Sequence, residues 1–221
     1  PIVVGGTGLY LRALLEGLFP GPAGDAALRA RLTARQARRP GSLHRLLSRF
    51  DPHAAQRIHP GDVQKLIRAL EVCLLTGRPL SSWFAEGREP LRGFRTLKLG
   101  LDPPRQALYQ RLEMRCEGMF AGGLVEEVRS ILSLGFSPAS KSLESHGYRQ
   151  ALQILQGELD PKQALYYACR NTRRYAKRQW TWFRRDPDIV WISGFGDQPH
   201  TQAAAFSLIR DFLRNVLPAQ T

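Results

Sequence analysis

The chain has 221 residues, 43% apolar and 23% charged, which supports a sizeable core and argues against a disordered or fibrous chain. Its 32 Lys and Arg against 19 Asp and Glu give a formal charge of +13, which points to a polyanionic partner, nucleic acid before an anionic membrane surface. No run of 18 apolar residues, no CxxC and no HxxxH occurs, so no membrane partner, disulfide framework or zinc site is expected. The first residues read PIVVGGTGLYLRALLEGL. Residues 1–4 are expected to form a strand, residues 5–8 a glycine turn, and the leucine-rich remainder a helix. In α/β enzymes that arrangement offers backbone N–H groups to phosphate. It is not a P-loop, because G-x-x-x-x-G-K-[ST] occurs nowhere in the chain.

After a Pro/Gly stretch at 19–24, helical signals run to about Trp83. Asp25, Ser42, Asp51 (before Pro52) and Asp62 read as N-caps, and Gly77 with Pro79 as stop signals. A strand is expected at 96–102. A long helix then runs from Asp102-Pro103 to Gly122-Gly123, and another from Leu124 to Gly135. A loop reaches Tyr148 and a short helix follows. The longest helix starts at Asp160-Pro161 and extends to about Arg185, then come a strand at 189–192 and an amphipathic helix over about 202–216. The expected organisation is α/β, with 1–20 and 96–221 forming a core and 21–95 a helical insertion. Cys73, Cys116 and Cys169 fall in apolar helical patterns and are expected to be buried free thiols.

The segment RNTRRYAKRQWTWFRR, residues 170–185, holds seven cations and no acid. At 100° per residue, Arg170, Arg173, Arg174, Lys177, Arg178, Arg184 and Arg185 fall within an arc of roughly 140°. Trp180 and Trp182 flank that arc, while Leu165, Ala176 and Phe183 lie on the opposite, core-facing side. Solvated helix faces normally mix signs for i, i+4 pairing, so an unmixed cationic face edged by aromatics points to phosphate contact with base stacking.

Several strings occur in order: VGGTGLYLRALLEGL, DPHAAQRIHPGDVQKLIRALEV, TGRPLS, GLDPPRQALYQRLEMR, GLVEEVR, GYRQ and RRYAKRQWTWFRRD. Together they resemble the tRNA dimethylallyltransferases (tRNA isopentenyltransferases), from Pro1 to about Trp191. The resemblance implies transfer of a dimethylallyl group from dimethylallyl diphosphate to N6 of an adenosine beside the anticodon of tRNA. It also implies a P-loop NTPase-like parallel-sheet core with a tRNA-gripping helical insertion, Mg²⁺ as cofactor, and a cytoplasmic, monomeric enzyme. Thr7 matches the family's threonine near the diphosphate, the ion and the acceptor adenine, with Gly5 and Gly6 letting ligand and backbone approach. Read from the residues alone, Thr7 serves equally as a helix cap.

Arg115 matches an arginine that contacts the diphosphate, suited to a leaving group that gains charge. Arg29, Gln64, Arg68, Tyr148, Arg149, Lys177, Arg178, Gln179, Trp180 and Arg184 match tRNA-contacting positions. His146 stands where the family usually has an aliphatic residue. The family's P-loop and its general-base aspartate are expected upstream of Pro1, so the sheet core is expected to be incomplete here, with no metal ligand directly identified. On that expectation the chain is an N-terminally truncated transferase that is inactive or impaired alone. The alternatives are a basic RNA-binding fragment without catalysis and a nucleoside kinase-like phosphotransferase.

Overall fold

The computed structural model describes residues 1–87 and 89–216. It divides into two compact units, one made of Leu9–Phe94 and the other of Pro1–Gly8 with Arg95–Thr221. The division falls at 8/9 and 94/95, where the sequence pattern put it at 20/21 and 95/96.

The first unit is helical: α1 (Gly8–Glu16, whose first residue belongs to the other unit), α2 (Ala26–Arg38), α3 (Ser42–Phe50), α4 (Pro52–Arg57), α5 (Val63–Thr76) and α6 (Leu80–Ala85). Asp25, Asp51 and Asp62 accept hydrogen bonds from the amides of Leu28, Ala54 and Lys65 at the starts of α2, α4 and α5. Gly77 ends α5 in the left-handed region at φ 68°, a conformation a side chain would strain. Ser42 is not the cap of α3. Gly41 holds the N-cap position at φ 78°, and the Ser42 hydroxyl instead donates to the Arg35 carbonyl. Leu43, Leu47, Leu66, Leu70 and Val72 are fully buried where α3 and α5 pack. Asp51 is buried too. It accepts from the Ser81 amide at 2.7 Å and the Ser81 hydroxyl at 2.8 Å, which joins α4 to α6.

The second unit is α/β. Strands β1 (Lys98–Asp102) and β2 (Ile189–Ser193) pair in parallel, from Lys98 opposite Ile189 to Asp102 opposite Ser193. Parallel neighbours need a crossover. Here α7 (Arg105–Ala121), α8 (Leu124–Ser133), a 3₁₀ turn (Lys141–Glu144), α9 (Tyr148–Leu155) and α10 (Pro161–Phe183) supply it, and α11 (Pro199–Val216) follows β2. The 3₁₀ turn lies within the stretch expected as loop. A capping box at Asp160 and Gln163 starts α10. The core gathers Leu124, Val128, Leu143, Ala151 and Leu152 between α8 and α9. Cys73, Cys116 and Cys169 are buried free thiols.

Residues 1–4, expected as a strand, are not one. A strand is defined by its ladder. Among the described residues the sheet has two members, and Ile2 and Val4 are both 91% exposed.

Candidate active site and nucleic-acid interface

Within the α/β unit the glycine turn rests on the last turns of α10. A Cβ at Gly6 would lie 2.1 Å from Nε2 of Gln179, and one at Gly8 would lie 2.0 Å from Nε1 of Trp182. Glycine is therefore required for this approach, most strictly at Gly8, where the obstacle is a rigid indole rather than a flexible amide. Thr7, between them, is exposed. It immediately precedes α1, yet its hydroxyl makes no hydrogen bond among the described residues, so it does not act as a side-chain cap. The turn thus presents a free hydroxyl flanked by two glycines packed on α10. Gly5 is open, with no atom near the position of a Cβ.

At the carboxyl end of β1, Asp102 accepts from Nε1 of Trp180 at 3.0 Å and, on its other oxygen, from the Arg184 guanidinium. That guanidinium stacks over the rings of Trp180 (5.1 Å) and Trp191 (4.5 Å). Carboxyl ends of parallel strands are where open α/β sheets bind ligands. Nothing in the sequence pattern singled out Asp102 beyond its place before Pro103, a strand-to-helix junction.

On α10, Arg174, Lys177 and Arg178 are exposed, as is Arg185, which lies beyond the end of the helix at Phe183. The buried residues of the helix are Ala164, Ala168 and Cys169, while Leu165, Ala176 and Phe183, expected to face the core, are half-buried. The cationic face is less unpaired than its own sequence implies. Arg173 pairs with Glu113 of α7, and Arg184 with Asp102. Arg178 lies over the Tyr175 ring at 5.5 Å, and His146 meets the same ring edge-on at 5.2 Å. Burial, then the charge of Arg178, pushes the His146 pKa below its ordinary value. The Tyr148 hydroxyl donates to Glu127 at 2.5 Å, which raises the phenol pKa, and Arg149 is exposed beside it. Arg115 stands exposed on α7.

Arg29, Gln64 and Arg68 belong to the helical unit. Gln64 is exposed on α5, one turn before Arg68. Arg29 and Arg68 converge on Glu71, which is fully buried between Leu70 and Val72. Hydrogen bonding from Arg29 outweighs burial and, with Arg68 and the Asp25 amide, brings the Glu71 pKa down from 4.5 to about 2. A depressed carboxylate stabilises the fold fully above its unfolded pKa and loses that contribution as pH falls. The helical unit should therefore lose about 3 kcal/mol as pH falls from roughly 4.5 to roughly 2. Asp51 adds to the loss, because hydrogen bonds from Ala54 and Ser81 overcome the opposing effect of burial and lower its pKa too. Urea unfolding at a series of pH values reads this directly, and a flat profile over that window would contradict the clamp. The sequence does signal Glu71, as an acid at a core-facing position of an otherwise apolar stripe.

The structure thus brings Thr7, Gly6, Gln179, Trp180 and Arg184 into one region of the α/β unit, and Arg29 and Arg68 onto one carboxylate of the helical unit. A family model for IPP transferase matches residues 1–186. The tRNA dimethylallyltransferase of Solibacter usitatus is 61% identical over 213 residues, covering 96% of this chain and 69% of that protein. That of Koribacter versatilis is 51% identical over 211 residues, covering 95% and 68%. A solved eukaryotic dimethylallyltransferase acting on tRNA matches with a TM-score of 0.73 at 27% identity, over 100% of this chain and 58% of that one. Fold and sequence together define an α/β transferase with helical parts. The chain belongs to the IPP transferase family. It spans about two thirds of the length of the two bacterial relatives.

Proposed function

We propose that the chain acts in the transfer of a dimethylallyl group from dimethylallyl diphosphate to N6 of an adenosine beside the anticodon in tRNA. The N6 lone pair forms the new bond to C1 of the donor. The C1–O bond breaks with its electron pair leaving on the diphosphate, and the N6 proton passes to the general-base aspartate expected upstream of Pro1. Thr7 carries the proposal: its unpaired hydroxyl, on a turn packed against α10, is free to donate to a diphosphate oxygen or to accept from the adenine amine. Gly5 and Gly6 keep the backbone bare for close approach. Arg115, always charged and exposed, is assigned to the departing diphosphate.

Mg²⁺ is the proposed cofactor. Among the described residues no three acids, histidines or cysteines converge on a metal site, while Thr7 offers one free oxygen. The Thr7 hydroxyl would help to hold an ion that arrives with the diphosphate. When bound, Mg²⁺ neutralises charge on the leaving group.

Lys177, Arg178, Gln179, Trp180 and Arg184, with Tyr148 and Arg149, are assigned to the tRNA around the reacting base, and Arg29, Gln64 and Arg68 to tRNA on the helical unit. A base must leave its stack to react, and the aromatic and guanidinium planes of this region suit holding it there. No helix among the described residues is long and apolar enough to cross a membrane. The proposal includes a cytoplasmic setting and action as a monomer.

Incubating the protein, joined to the P-loop segment expected upstream of Pro1, with tRNA, dimethylallyl diphosphate and Mg²⁺, then digesting the tRNA for nucleoside mass spectrometry, tests this reading. The expected product is an adenosine heavier by one C₅H₈ unit. The exposed cations of α10 also favour a simpler reading, RNA binding without chemistry. Salt-dependent tRNA binding with no modified nucleoside would select it.

A further inference from the structure

Glu71 takes no part in the chemistry above, yet few side chains here are as completely engaged. Its Oε1 accepts from the Asp25 amide at 2.7 Å and from Nε of Arg29 at 2.7 Å. Its Oε2 accepts from Nη2 of Arg29 at 2.9 Å and Nη1 of Arg68 at 2.6 Å. Arg68 is held a second time, by donation from Nη2 to the Pro22 carbonyl at 3.0 Å. The carboxylate side chain has no exposed surface, whereas the two arginine side chains keep 49% and 35% of theirs.

Joining α2 to α5 does not need this arrangement. Burying a carboxylate is costly, and a well-packed apolar trio commonly replaces a buried Arg–Glu–Arg set with no loss of stability. What an apolar trio could not do is fix two guanidinium groups side by side with donors left over. Each guanidinium has five N–H bonds. Each uses two here, leaving three apiece on planes that Glu71 orients. Bidentate guanidinium forks match phosphate oxygens, and two of them at fixed spacing match consecutive phosphodiesters.

We propose that Glu71 is a positioning residue for RNA binding, holding Arg29 and Arg68 as a paired fork that grips adjacent phosphates of the tRNA backbone. The proposal rests on the reading of the chain as a tRNA-acting protein and adds the residue that makes those two arginines work as one site.

The proposal and bulk electrostatics predict opposite signs. Glu71→Gln removes a negative charge, and general attraction to a polyanion would tighten binding. The positioning role requires weaker binding, because the amide nitrogen of Gln faces guanidinium donors and releases the fork. For the 221-residue chain, Glu71→Gln should weaken tRNA binding about fivefold and make the slope of log Kd against log salt shallower by about one. Arg68→Lys is the second arm. It keeps the charge and leaves Glu71 paired with Arg29, but a lysine has no fork, so the same weakening is expected.

Circular dichroism and thermal unfolding accompany each measurement. Glu71→Gln with unchanged or tighter binding and native helix content overturns the proposal, as does Arg68→Lys that binds like the wild type. If Glu71→Gln loses helix content, Arg68→Lys decides. A wild-type chain that binds no tRNA brings down the functional reading, and the proposal with it.

Discussion

Replacing Arg174, Lys177 and Arg178 together by alanine should weaken tRNA binding by about a hundredfold at roughly 0.15 M salt. The slope of log Kd against log salt should become shallower by about three, one for each phosphate that the variant no longer neutralises. These cations are chosen because they are exposed and pair with no acid among the described residues. Arg173 and Arg184 would be poor choices. Removing either strands a carboxylate, Glu113 or Asp102, and mixes a structural effect into the binding result. The triple variant should fold normally, since the buried residues of α10 are Ala164, Ala168 and Cys169. Arg174 and Arg178 are like charges one turn apart, so their removal should if anything raise the unfolding temperature. Affinity and salt slope that match the wild type would reduce this face of α10 to solvated surface.

What the sequence made legible divides by distance along the chain. The caps at Asp25, Asp51, Asp62 and Asp160 could be read because each bonds a backbone amide three residues on. The two strands and α10 could be read from composition and period between clear stops. Residues 1–4 could not, because a strand needs a neighbour and composition does not supply one. Ser42 misled because a glycine one position earlier takes the cap and frees the hydroxyl for α2.

The same distinction governs the site. The cationic face of α10 was visible as a local pattern. Its acids were not, since Glu113 and Asp102 lie 60 and 82 residues from the arginines they hold. Nor was the approach of Gly6 and Gly8 to Gln179 and Trp182, although a GGTG string already implies that something approaches closely. Glu71 bonds Arg68 three residues away but Arg29 at 42, and the sequence reading drew out neither pair.

Thr7→Ala, in a catalytically active form of the protein, should lower turnover by about two to three orders of magnitude, the usual cost of removing one preorganised donor at a developing charge. Affinity for tRNA should stay within about twofold, because a single neutral hydroxyl neutralises no phosphate. Thr7→Ser keeps the hydroxyl and should recover most of the turnover. Gly8→Ala tests the same turn by a different route. Its methyl would sit 2.0 Å from Trp182, so either the indole or the turn must move. The hydroxyl at position 7 survives in that variant but its placement does not. Turnover should therefore fall as it does in Thr7→Ala, and the near-ultraviolet tryptophan signal should change as well. If Gly8→Ala disturbs that signal while turnover stays at the wild-type level, the packing against α10 is incidental to the placement of Thr7. If Thr7→Ala weakens tRNA binding and leaves turnover intact at saturating tRNA, the hydroxyl belongs to recognition and not to the reacting centre.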